Sequence, residues 1–396
     1  MLIVADTAIP FVNAFFESYG MVSLIAGHEI DLRSIKTADA LLVRTQTRVD
    51  AALLGGTSVR FVGSATAGVD HIDLDYLEAH NIHFVSAPGA NSHSVVEYVL
   101  TALFELSWGA SQKLTAKTVG VIGSGAVGGC LVRRLKAFGV RTLVCDPPLE
   151  QEALHSDEPH SFVSLDFLLR ESDIISLHVP LIQDGKFATK HLMDADALGK
   201  CRRGTWLLNT SRGGVVDERA LLSAVASGAI SRVVTDVWDD EPLPAPEMIQ
   251  ASHIATSHIA GYSIDAKRRA TRMIRDAYIV HFKLERYSAA SEPGAAEPGA
   301  AGSIELLVPE TDPKESFERY CRDLVLQMYP IMKDHHNMTR LRSSAMVDED
   351  RAESFRQLRS NYAARFGFYR YRISDSRLRT EQIRRLSDGL GIKVVA

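Results

Sequence analysis

Cysteine is scarce in this sequence, with four residues of this type among 396. They stand far apart, at Cys130, Cys145, Cys201 and Cys321, and none belongs to a CxxC pair. A disulfide framework or a cysteine zinc site needs closely patterned cysteines, so this spacing argues against both and predicts no metal site. Unpatterned cysteines are also typical of a reducing compartment, and we therefore expect a cytoplasmic protein.

The chain also lacks a long apolar run and an excess of basic charge. No stretch of about 18 apolar residues occurs, which is the length that a membrane-spanning helix needs. The opening LIVAD has no basic residue before it and reaches Asp6 after four apolar residues, so it predicts a strand rather than a signal peptide. The net charge of −5 gives no general attraction to nucleic acid. We therefore expect neither a membrane nor a nucleic acid as partner.

The alternation of apolar runs with helical patterns indicates how the chain is organised. Residues 1–92 and, more strongly, residues 93–258 alternate short strand patterns with helical ones. Strands that alternate with helices predict βαβ units and parallel sheets. The predicted fold class is therefore α/β, with two doubly wound parallel-sheet domains of Rossmann-like or flavodoxin-like type. Ser94 and Glu97 have the spacing of a capping box and predict the start of the helix that joins the two domains.

The last part of the chain has a different composition. Residues 288–303, SAASEPGAAEPGAAGS, contain a doubled EPGAA and almost no large apolar side chain, which predicts a flexible linker. Residues 304–396 predict a small α+β domain, which is the third domain of the fold. Ten arginines between residues 351 and 385 alternate with aromatic side chains. Such a composition suits either nucleic acid or a subunit interface, and we favour the interface.

A glycine-rich turn opens the second domain. Gly123, Gly125 and Gly128 form the pattern G-x-G-x-x-G between a predicted strand and an amphipathic helix. In that setting the first glycine permits a tight turn, the second lets a pyrophosphate approach the backbone, and the third permits close helix packing. Asp146 ends the next predicted strand, where a carboxylate accepts hydrogen bonds from a ribose and repels a 2′-phosphate. We therefore predict NAD as the cofactor, and the alternative is a purely structural glycine turn.

Polar residues follow strand after strand in the second domain. The carboxyl ends of parallel strands line one rim of a sheet, so these side chains are predicted to converge there. The set comprises His178, Thr210, Ser211, Arg212, Asp236, Glu241 and His258.

Three members of this set have the chemistry for oxidising a hydroxy acid. Imidazole titrates near neutrality, so His258 is the candidate base for a hydroxyl proton, and Glu241 would hold its ring. Arg212 has the fork geometry that clamps a carboxylate. The alternative interpretations are a hydrogen-bonded core histidine and surface ion pairs for the arginine and the glutamate.

Six motifs within residues 1–287 carry a family resemblance. They are GVIGSGAVG, CDPP, LHVPL, LLNTSRGGVVDERALL, VVTDVWDDEP and TSHIAGYS. Together they resemble the D-isomer-specific 2-hydroxyacid dehydrogenases. Four further segments, LLVRTQTRV, FVGSATAGVDHID, APGANSHSVVEYV and FRQLRSNYAARF, resemble more narrowly a branch of that family with an additional C-terminal domain. That branch implies NAD-dependent oxidation of 4-phospho-D-erythronate to the 2-oxo acid in pyridoxal 5′-phosphate synthesis.

The resemblance also implies domains, site residues and partners. It makes residues 1–92 with 259–287 the substrate-binding domain, residues 93–258 the NAD-binding domain, and residues 304–396 a domain that pairs two subunits in a homodimer. It places Arg212, Glu241 and His258 in catalysis. It implies that a small phosphorylated hydroxy acid contacts Thr45, Thr66 and Tyr262. The positions implied around NAD are Asp146, Val179, Thr210, Ser211, Arg212, Asp236 and Gly261.

A few positions and the choice of function stay open. Val179 stands where the family often has threonine, which removes a hydroxyl contact to the cofactor, and Asp240 replaces a common glycine. Thr45 and Thr66 also suit ordinary loop capping. The alternative functions are another D-2-hydroxyacid dehydrogenase, for example one acting on 3-phosphoglycerate, and a non-catalytic NAD-sensing module. The intact set of arginine, glutamate and histidine favours the enzyme.

Overall fold

The structure, a computed structural model, describes most of the chain as two compact units. The first unit consists of Met1–Asn91 with Tyr262–Ser303, and the second of Ser92–Gly261 with Ile304–Ala396. The described residues are 1–153, 161–285, 303–343, 345–363 and 365–395. Except for Ser303, the segment predicted as a linker lies outside the described residues.

The first unit is built on a five-stranded parallel sheet with the strand order β2-β1-β3-β4-β5. Its central strands are buried at every position because helices cover both faces of the sheet, which explains their near-continuous apolar sequences. The strands are β1 Leu2–Asp6, β2 Met21–Ile25, β3 Ala40–Val43, β4 Phe61–Ser64 and β5 His83–Val85. The helices are α1 Val12–Phe16, α2 Leu32–Ile35, α3 Ala51–Leu54 and α4 Leu74–Ala79.

The second unit begins with the long helix α5, Ser92–Gly109, and contains a six-stranded parallel sheet. The strands are β6 Thr118–Ile122, β7 Arg141–Cys145, β8 Ile174–Leu177, β9 Thr205–Asn209, β10 Ile230–Thr235 and β11 Ile254–Ala255. The helices are α6 Ala126–Phe138, α7 Pro147–Ala153, α8 Leu165–Glu171, α9 Ala195–Lys200, α10 Glu218–Ala226 and α11 Pro246–Ala251.

The order of this sheet, β11-β10-β9-β8-β6-β7, creates a switch point. From β6 the chain first adds β7 on one side and then crosses over to add β8 on the other. In open α/β sheets such a reversal leaves a crevice at the carboxyl ends of the two strands, where ligands bind. The loops after β6 and β8 therefore mark the expected cofactor position. The predicted doubly wound fold is confirmed for both sheets.

The start of α5 differs from the prediction. The helix begins at Ser92, two residues before the position expected for a capping box. Glu97 is 1% exposed, and its Oε1 accepts a hydrogen bond from the Phe368 backbone N–H at 2.9 Å. The capping-box prediction was therefore wrong. The Glu97 carboxylate binds the Phe368 N–H, which is distant in sequence, and not a backbone N–H at the start of the helix.

After the second sheet the chain returns to the first unit through α12, Ile264–His281, and then enters its C-terminal region. That region has a three-stranded parallel sheet in the order β12-β13-β14 and packs within the second unit. For example, the Arg322 guanidinium lies 2.9 Å from the Glu105 carboxylate of α5. The strands are β12 Ile304–Glu305, β13 Tyr371–Ser374 and β14 Lys393–Val395. The helices are α13 Phe317–Met328, α14 Ile331–Thr339, α15 Asp348–Ser360 and α16 Thr380–Arg384.

In the described part of the chain, no helix combines the length and the apolar character that crossing a bilayer requires.

Candidate active site

The glycine turn after β6 has the geometry that a dinucleotide site needs. Gly123 has φ +87°, and a Cβ there would lie 2.6 Å from the His178 carbonyl oxygen after β8, so only glycine closes the switch point. A Cβ on Gly128 would lie 1.9 Å from the Gly123 carbonyl oxygen, which forces the helix tightly onto the turn. At Gly125, in contrast, a Cβ would meet no non-neighbouring heavy atom of the described residues within 4 Å. The turn is thus crowded at its two ends and open at its middle, where a pyrophosphate would approach.

Asp146, directly after β7, is tied to this turn. Its Oδ2 accepts a hydrogen bond from the Ser124 N–H at 2.7 Å, and its Oδ1 accepts one from the Leu149 N–H at 3.1 Å. The carboxylate therefore bridges the glycine turn and the start of α7. A contact with a ribose hydroxyl stays a prediction, and the residue stands at the strand end where that contact is expected.

The ends of β8 and β9 contribute the next predicted residues. The Val179 side chain borders the turn, since a Cβ on Gly123 would lie 2.8 Å from its Cγ1. Thr210 has a buried Oγ1 that finds no hydrogen-bond partner among the described residues. Ser211 is used internally, because its backbone N–H and its hydroxyl both donate to Asn209 Oδ1, at 3.1 and 2.8 Å. These features fit bound NAD. The glycine turn with its open position at Gly125 would accommodate the pyrophosphate, and the unpaired Thr210 hydroxyl would be available to the nicotinamide half of the cofactor.

Asp236, after β10, has a role that the sequence did not indicate. The residue is 1% exposed, and its carboxylate holds the loop that carries His258. Oδ1 accepts hydrogen bonds from the Thr256 hydroxyl at 2.6 Å and the Ile259 N–H at 2.8 Å, and Oδ2 accepts one from the Ala260 N–H at 2.9 Å. Gly261 follows this loop directly. A contact of either residue with NAD stays a prediction, whereas the anchoring of the loop is evident.

His258 and Glu241 form the chemical centre of the second unit. The His258 Nδ1 lies 2.7 Å from Glu241 Oε2 and 3.0 Å from Oε1. An ionised carboxylate only accepts hydrogen bonds, so Nδ1 carries a proton and Nε2 remains as the basic nitrogen. The backbone of His258 is in the left-handed conformation, with φ +58°. Its backbone N–H donates a hydrogen bond to the Asp236 carbonyl oxygen at 2.7 Å. The side chains of His258 and Glu241 are 31% and 21% exposed, so the pair is half-buried and still reachable.

The surroundings keep the glutamate ionised. Burial alone would raise the pKa of the Glu241 carboxyl, but the His258 imidazole, the Arg359 guanidinium and the Trp238 N–H together hold this pKa below its ordinary value. The Trp238 N–H donates to Glu241 Oε1 at 3.1 Å, and Arg359 Nη1 lies 3.8 Å from Oε2. A negative charge is therefore maintained next to the imidazole, which stabilises the imidazolium that forms when the ring accepts a proton.

Arg212 stands at the end of β9, the strand next to β10. The Asn209 side-chain amide donates to the Arg212 carbonyl at 2.9 Å, and Arg212 Nη1 donates to the Ser211 carbonyl at 2.8 Å. The following Gly213 packs so closely that a Cβ would lie 1.9 Å from the Trp238 carbonyl oxygen. The backbone after Arg212 thus touches the loop that carries Glu241. Sequence reasoning missed the role of Asn209, whose side chain binds both Ser211 and the Arg212 carbonyl. No local sequence pattern indicates that a buried asparagine makes such contacts.

A second histidine of the rim has different chemistry. Burial lowers the pKa of His178 to about 3, and its Nε2 lies 2.8 Å from the Ser176 hydroxyl oxygen. A neutral, enclosed imidazole of this kind does not take up a proton near neutral pH. His258 is therefore the better candidate for acid–base chemistry.

The predicted substrate residues lie in the first unit. Tyr262 is flanked by two cationic side chains: Arg44 Nη2 donates to its hydroxyl at 3.4 Å, and Lys267 Nζ lies 4.8 Å from its ring centre. Burial and the nearby Arg44 lower the pKa of the Lys267 ammonium. The exposed Thr45 follows Arg44 directly. Sequence reasoning missed Lys267, because its approach to Tyr262 depends on one turn of α12.

Thr66 is already engaged in its own turn. Its hydroxyl donates to the Gly68 carbonyl at 2.8 Å and lies 2.7 Å from the Ser64 hydroxyl oxygen, which in turn contacts His71 Nε2 at 3.0 Å. The loop-capping alternative therefore describes this side chain as it stands, and a substrate contact by Thr66 remains a prediction.

The chain is similar to known dehydrogenases in sequence and in fold. Residues 100–260 match the family model for the NAD binding domain of the D-isomer specific 2-hydroxyacid dehydrogenases. The chain is similar in fold to a D-lactate dehydrogenase of Aquifex aeolicus solved with NAD and lactic acid, with a TM-score of 0.59 and 24% identity. That likeness covers 72% of this chain and 96% of the other. The fold and the site therefore define an NAD-dependent dehydrogenase of D-2-hydroxy acids.

Alignments with relatives over most of the chain identify a subgroup of this enzyme class. The erythronate-4-phosphate dehydrogenase of Salinibacter ruber is 40% identical over 393 residues, which are 99% of this chain and 98% of that protein. The enzyme of the same name from Azotobacter vinelandii is 48% identical over 278 residues, 70% of this chain and 72% of the other. The chain belongs to the D-isomer specific 2-hydroxyacid dehydrogenase family and, within it, to the erythronate-4-phosphate dehydrogenases.

Proposed function

We propose that this chain oxidises C2 of 4-phospho-D-erythronate to give 2-oxo-3-hydroxy-4-phosphobutanoate, a step of pyridoxal 5′-phosphate synthesis. The observation that carries the proposal is the hydrogen-bonded pair of His258 and Glu241 in the same unit as a glycine turn suited to NAD. A relative that aligns with 99% of this chain is named for this substrate. The proposal extends their activity to this chain.

Each residue of the catalytic set has a defined task. His258 Nε2 removes the proton of the C2 hydroxyl while Glu241 fixes the ring through Nδ1 and stabilises its positive charge. The Arg212 guanidinium binds the substrate carboxylate and orients C2. NAD, when bound, supplies the acceptor for the hydride that leaves C2. In the reverse direction the same imidazole returns the proton.

The cofactor is assigned to the rim of the second sheet. Gly125 admits the pyrophosphate, helped by the N–H groups at the start of α6, since helix N-termini attract phosphate. Asp146 accepts hydrogen bonds from the adenosine ribose and disfavours a 2′-phosphate. The further contacts proposed are Gly123, Gly128, Val179, Thr210, Ser211, Arg212, Asp236 and Gly261.

The phosphate of the substrate is assigned to the first unit. Arg44 and Lys267 bring two cationic groups to the Tyr262 ring, and burial together with Arg44 lowers the pKa of Lys267. A dianion placed beside them would relieve the repulsion between the two cations, which makes this cluster a phosphate site in chemical terms. Thr45 and Thr66 supply hydroxyl groups on neighbouring loops.

The decisive experiment compares substrates in the wild-type enzyme and in Lys267→Met. The wild type is expected to reduce NAD with 4-phospho-D-erythronate far faster than with D-erythronate or 3-phosphoglycerate, measured by NADH absorbance. Loss of one phosphate contact should raise KM for the phosphorylated substrate by about 10- to 150-fold, because a charge-assisted contact contributes about 1.5 to 3 kcal/mol. The matched control is Lys36→Met, an exposed lysine of the same unit.

Three results would contradict this proposal. Equal rates with D-erythronate would remove the phosphate from the recognition, and a preference for 3-phosphoglycerate would identify a different member of the family. No turnover with any of the three acids, together with tight NAD binding, would favour the sensor alternative.

We further propose a homodimer in the cytoplasm, paired through residues 304–396. Next to the edge strand β12, Leu307 is 79% and Val308 46% exposed, and a partner subunit would cover these two aliphatic side chains. All four cysteines are free and buried, which suits a reducing compartment. Sedimentation velocity of the full chain should give twice the chain mass of 43.5 kDa, and a monomer would refute the pairing.

A further inference from the structure

The catalytic glutamate has a third partner that comes from the C-terminal region. Arg359 Nη1 lies 3.8 Å from Glu241 Oε2, the same oxygen that binds His258 Nδ1 at 2.7 Å. The Arg359 side chain is 25% exposed and the Glu241 side chain 21%, so bulk water screens this contact only in part. One carboxylate oxygen is therefore shared between an imidazole of the NAD-binding sheet and a guanidinium of α15.

The packing of α15 holds this guanidinium in place. Phe355, one turn before Arg359, is fully buried and belongs to the same apolar cluster as Trp238, which lies three residues before Glu241. Residues four apart share a helix face, so the contact of Phe355 with the core also directs Arg359 toward the catalytic loop. At the start of the helix, the buried Arg351 donates from its Nε to the Leu341 carbonyl at 3.1 Å. Both ends of α15 are thus anchored.

We propose that Arg359 is a positioning residue of the catalytic pair, which fixes the Glu241 carboxylate and limits how strongly it holds a proton on His258. The proposal rests on the function proposed for this chain. The Glu241 carboxylate attracts a protonated His258, whereas the Arg359 guanidinium on the same carboxylate repels it. The net electrostatic stabilisation of the imidazolium is therefore smaller than in a pair without the arginine. Arg359 therefore holds the carboxylate in place and opposes the positive charge that forms on the ring when His258 takes the proton of the substrate hydroxyl.

Other charged groups lie on the segments around the pair. The same loop carries Asp239 and Asp240, and the Asp239 N–H donates to Glu218 Oε1 at 3.1 Å. Burial raises the pKa of Glu218 to about 7, so this carboxyl changes charge over the pH range of interest. Asp236 and Arg212 lie on the flanking strand ends, as described above. Apart from Arg212, these groups are acidic and favour a protonated imidazole, so Arg359 opposes them.

The test is the pH dependence of kcat/KM for oxidation in Arg359→Gln. The acid limb of the profile should move to higher pH by about 0.5 to 1 unit, because the positive charge of Arg359 no longer repels the imidazolium. KM for NAD should stay within about twofold, since no cofactor contact is removed. Arg359→Lys keeps a positive charge at this position. The acid limb of its pH profile should therefore lie close to that of the wild type.

A matched control lies one turn away on the same helix. Arg356 is exposed and pairs only at the surface, with its Nη1 3.2 Å from Glu353 Oε2. Arg356→Gln should leave the profile unchanged. The Arg359 series is repeated with Glu218→Gln in the background, which removes the other carboxyl that titrates near neutrality.

A substrate-free readout separates this inference from the proposed function. Histidine labelled with ¹³C at Cε1 allows the titration of His258 to be followed by NMR in the enzyme alone. A midpoint that moves to higher pH in Arg359→Gln supports the inference even where no substrate has been identified. An unchanged midpoint in a folded Arg359→Gln variant, or an equal change in Arg356→Gln, would overturn it. Where Arg359→Gln does not fold, a wild-type profile in a folded Arg359→Met variant would overturn it equally.

Discussion

Replacement of His258 by asparagine is expected to lower kcat for hydroxy-acid oxidation by about 10²- to 10⁴-fold, which is the range that a positioned general base contributes. NAD affinity should change by less than about twofold, because the proposed base acts on the substrate hydroxyl. Asparagine is chosen because His258 has φ +58°, a conformation that asparagine adopts more readily than alanine. The measurements are steady-state rates by NADH absorbance and an NAD titration by protein fluorescence.

The pH profile gives this prediction a second, independent readout. The wild-type rate should fall as the pH is lowered and the imidazole becomes protonated, whereas the residual rate of His258→Asn should lose that dependence. The control is His253→Asn, since His253 stands before β11 at the opposite end of the strand. A His258→Asn variant with the wild-type acid limb would show that another group is the base. A large loss of NAD affinity would instead place His258 in cofactor binding.

Elements fixed by local chemistry were predicted well from the sequence. The apolar spacing of Val127, Leu131, Leu135 and Phe138 predicts a helix over 126–138. The helix α6 has these bounds, with Gly139 in the left-handed conformation after the last residue. Asp217 is of a residue type that favours the N-cap, and its side chain caps α10 by accepting the Ala220 N–H three residues on. In these cases the residues that decide the boundary lie within one helical turn, so the sequence contains the whole cause.

Features decided by distant contacts were not predicted. The approach of Arg359 to Glu241 depends on how α15 packs against the catalytic loop, and these residues lie more than a hundred positions apart. The anchoring role of Asp236 needs the Ile259 and Ala260 N–H groups, which no short motif announces. The false capping box at Glu97 has the same origin, since the Phe368 N–H competes successfully for the carboxylate. The sheet topology accounts for the strand ends at which the candidate residues stand, whereas tertiary packing determines which groups each side chain contacts there.

Two glycine substitutions in the cofactor turn should have opposite consequences. Gly125→Ala adds a methyl group where no non-neighbouring heavy atom of the described residues lies within 4 Å, so the free energy of unfolding should change by less than about 0.5 kcal/mol. The same methyl group would meet the pyrophosphate, and overpacking of this kind costs about 1 to 3 kcal/mol, or about 5- to 150-fold in Kd. We expect a stable enzyme that binds NAD poorly.

Gly128→Ala should instead destabilise the protein itself. Its Cβ would lie 1.9 Å from the Gly123 carbonyl oxygen, a backbone atom that cannot move without opening the turn. The expected loss is about 2 kcal/mol or more of unfolding free energy, seen as a lower urea midpoint in the absence of cofactor. Gly199→Ala is the control for Gly125→Ala, because Gly199 in α9 likewise has open space around a Cβ but does not belong to the cofactor turn. It should leave the Kd for NAD unchanged.

The comparison of these variants tests whether the cofactor occupies the middle of the turn. A Gly125→Ala enzyme with wild-type affinity for NAD would mean that the pyrophosphate does not approach this glycine, and the assignment of the cofactor to the switch point would fail. Equal destabilisation of Gly125→Ala and Gly128→Ala would mean that the open space at Gly125 is filled by protein in solution. Only weak NAD binding with intact stability in Gly125→Ala agrees with a site that is built by the backbone and completed by the ligand.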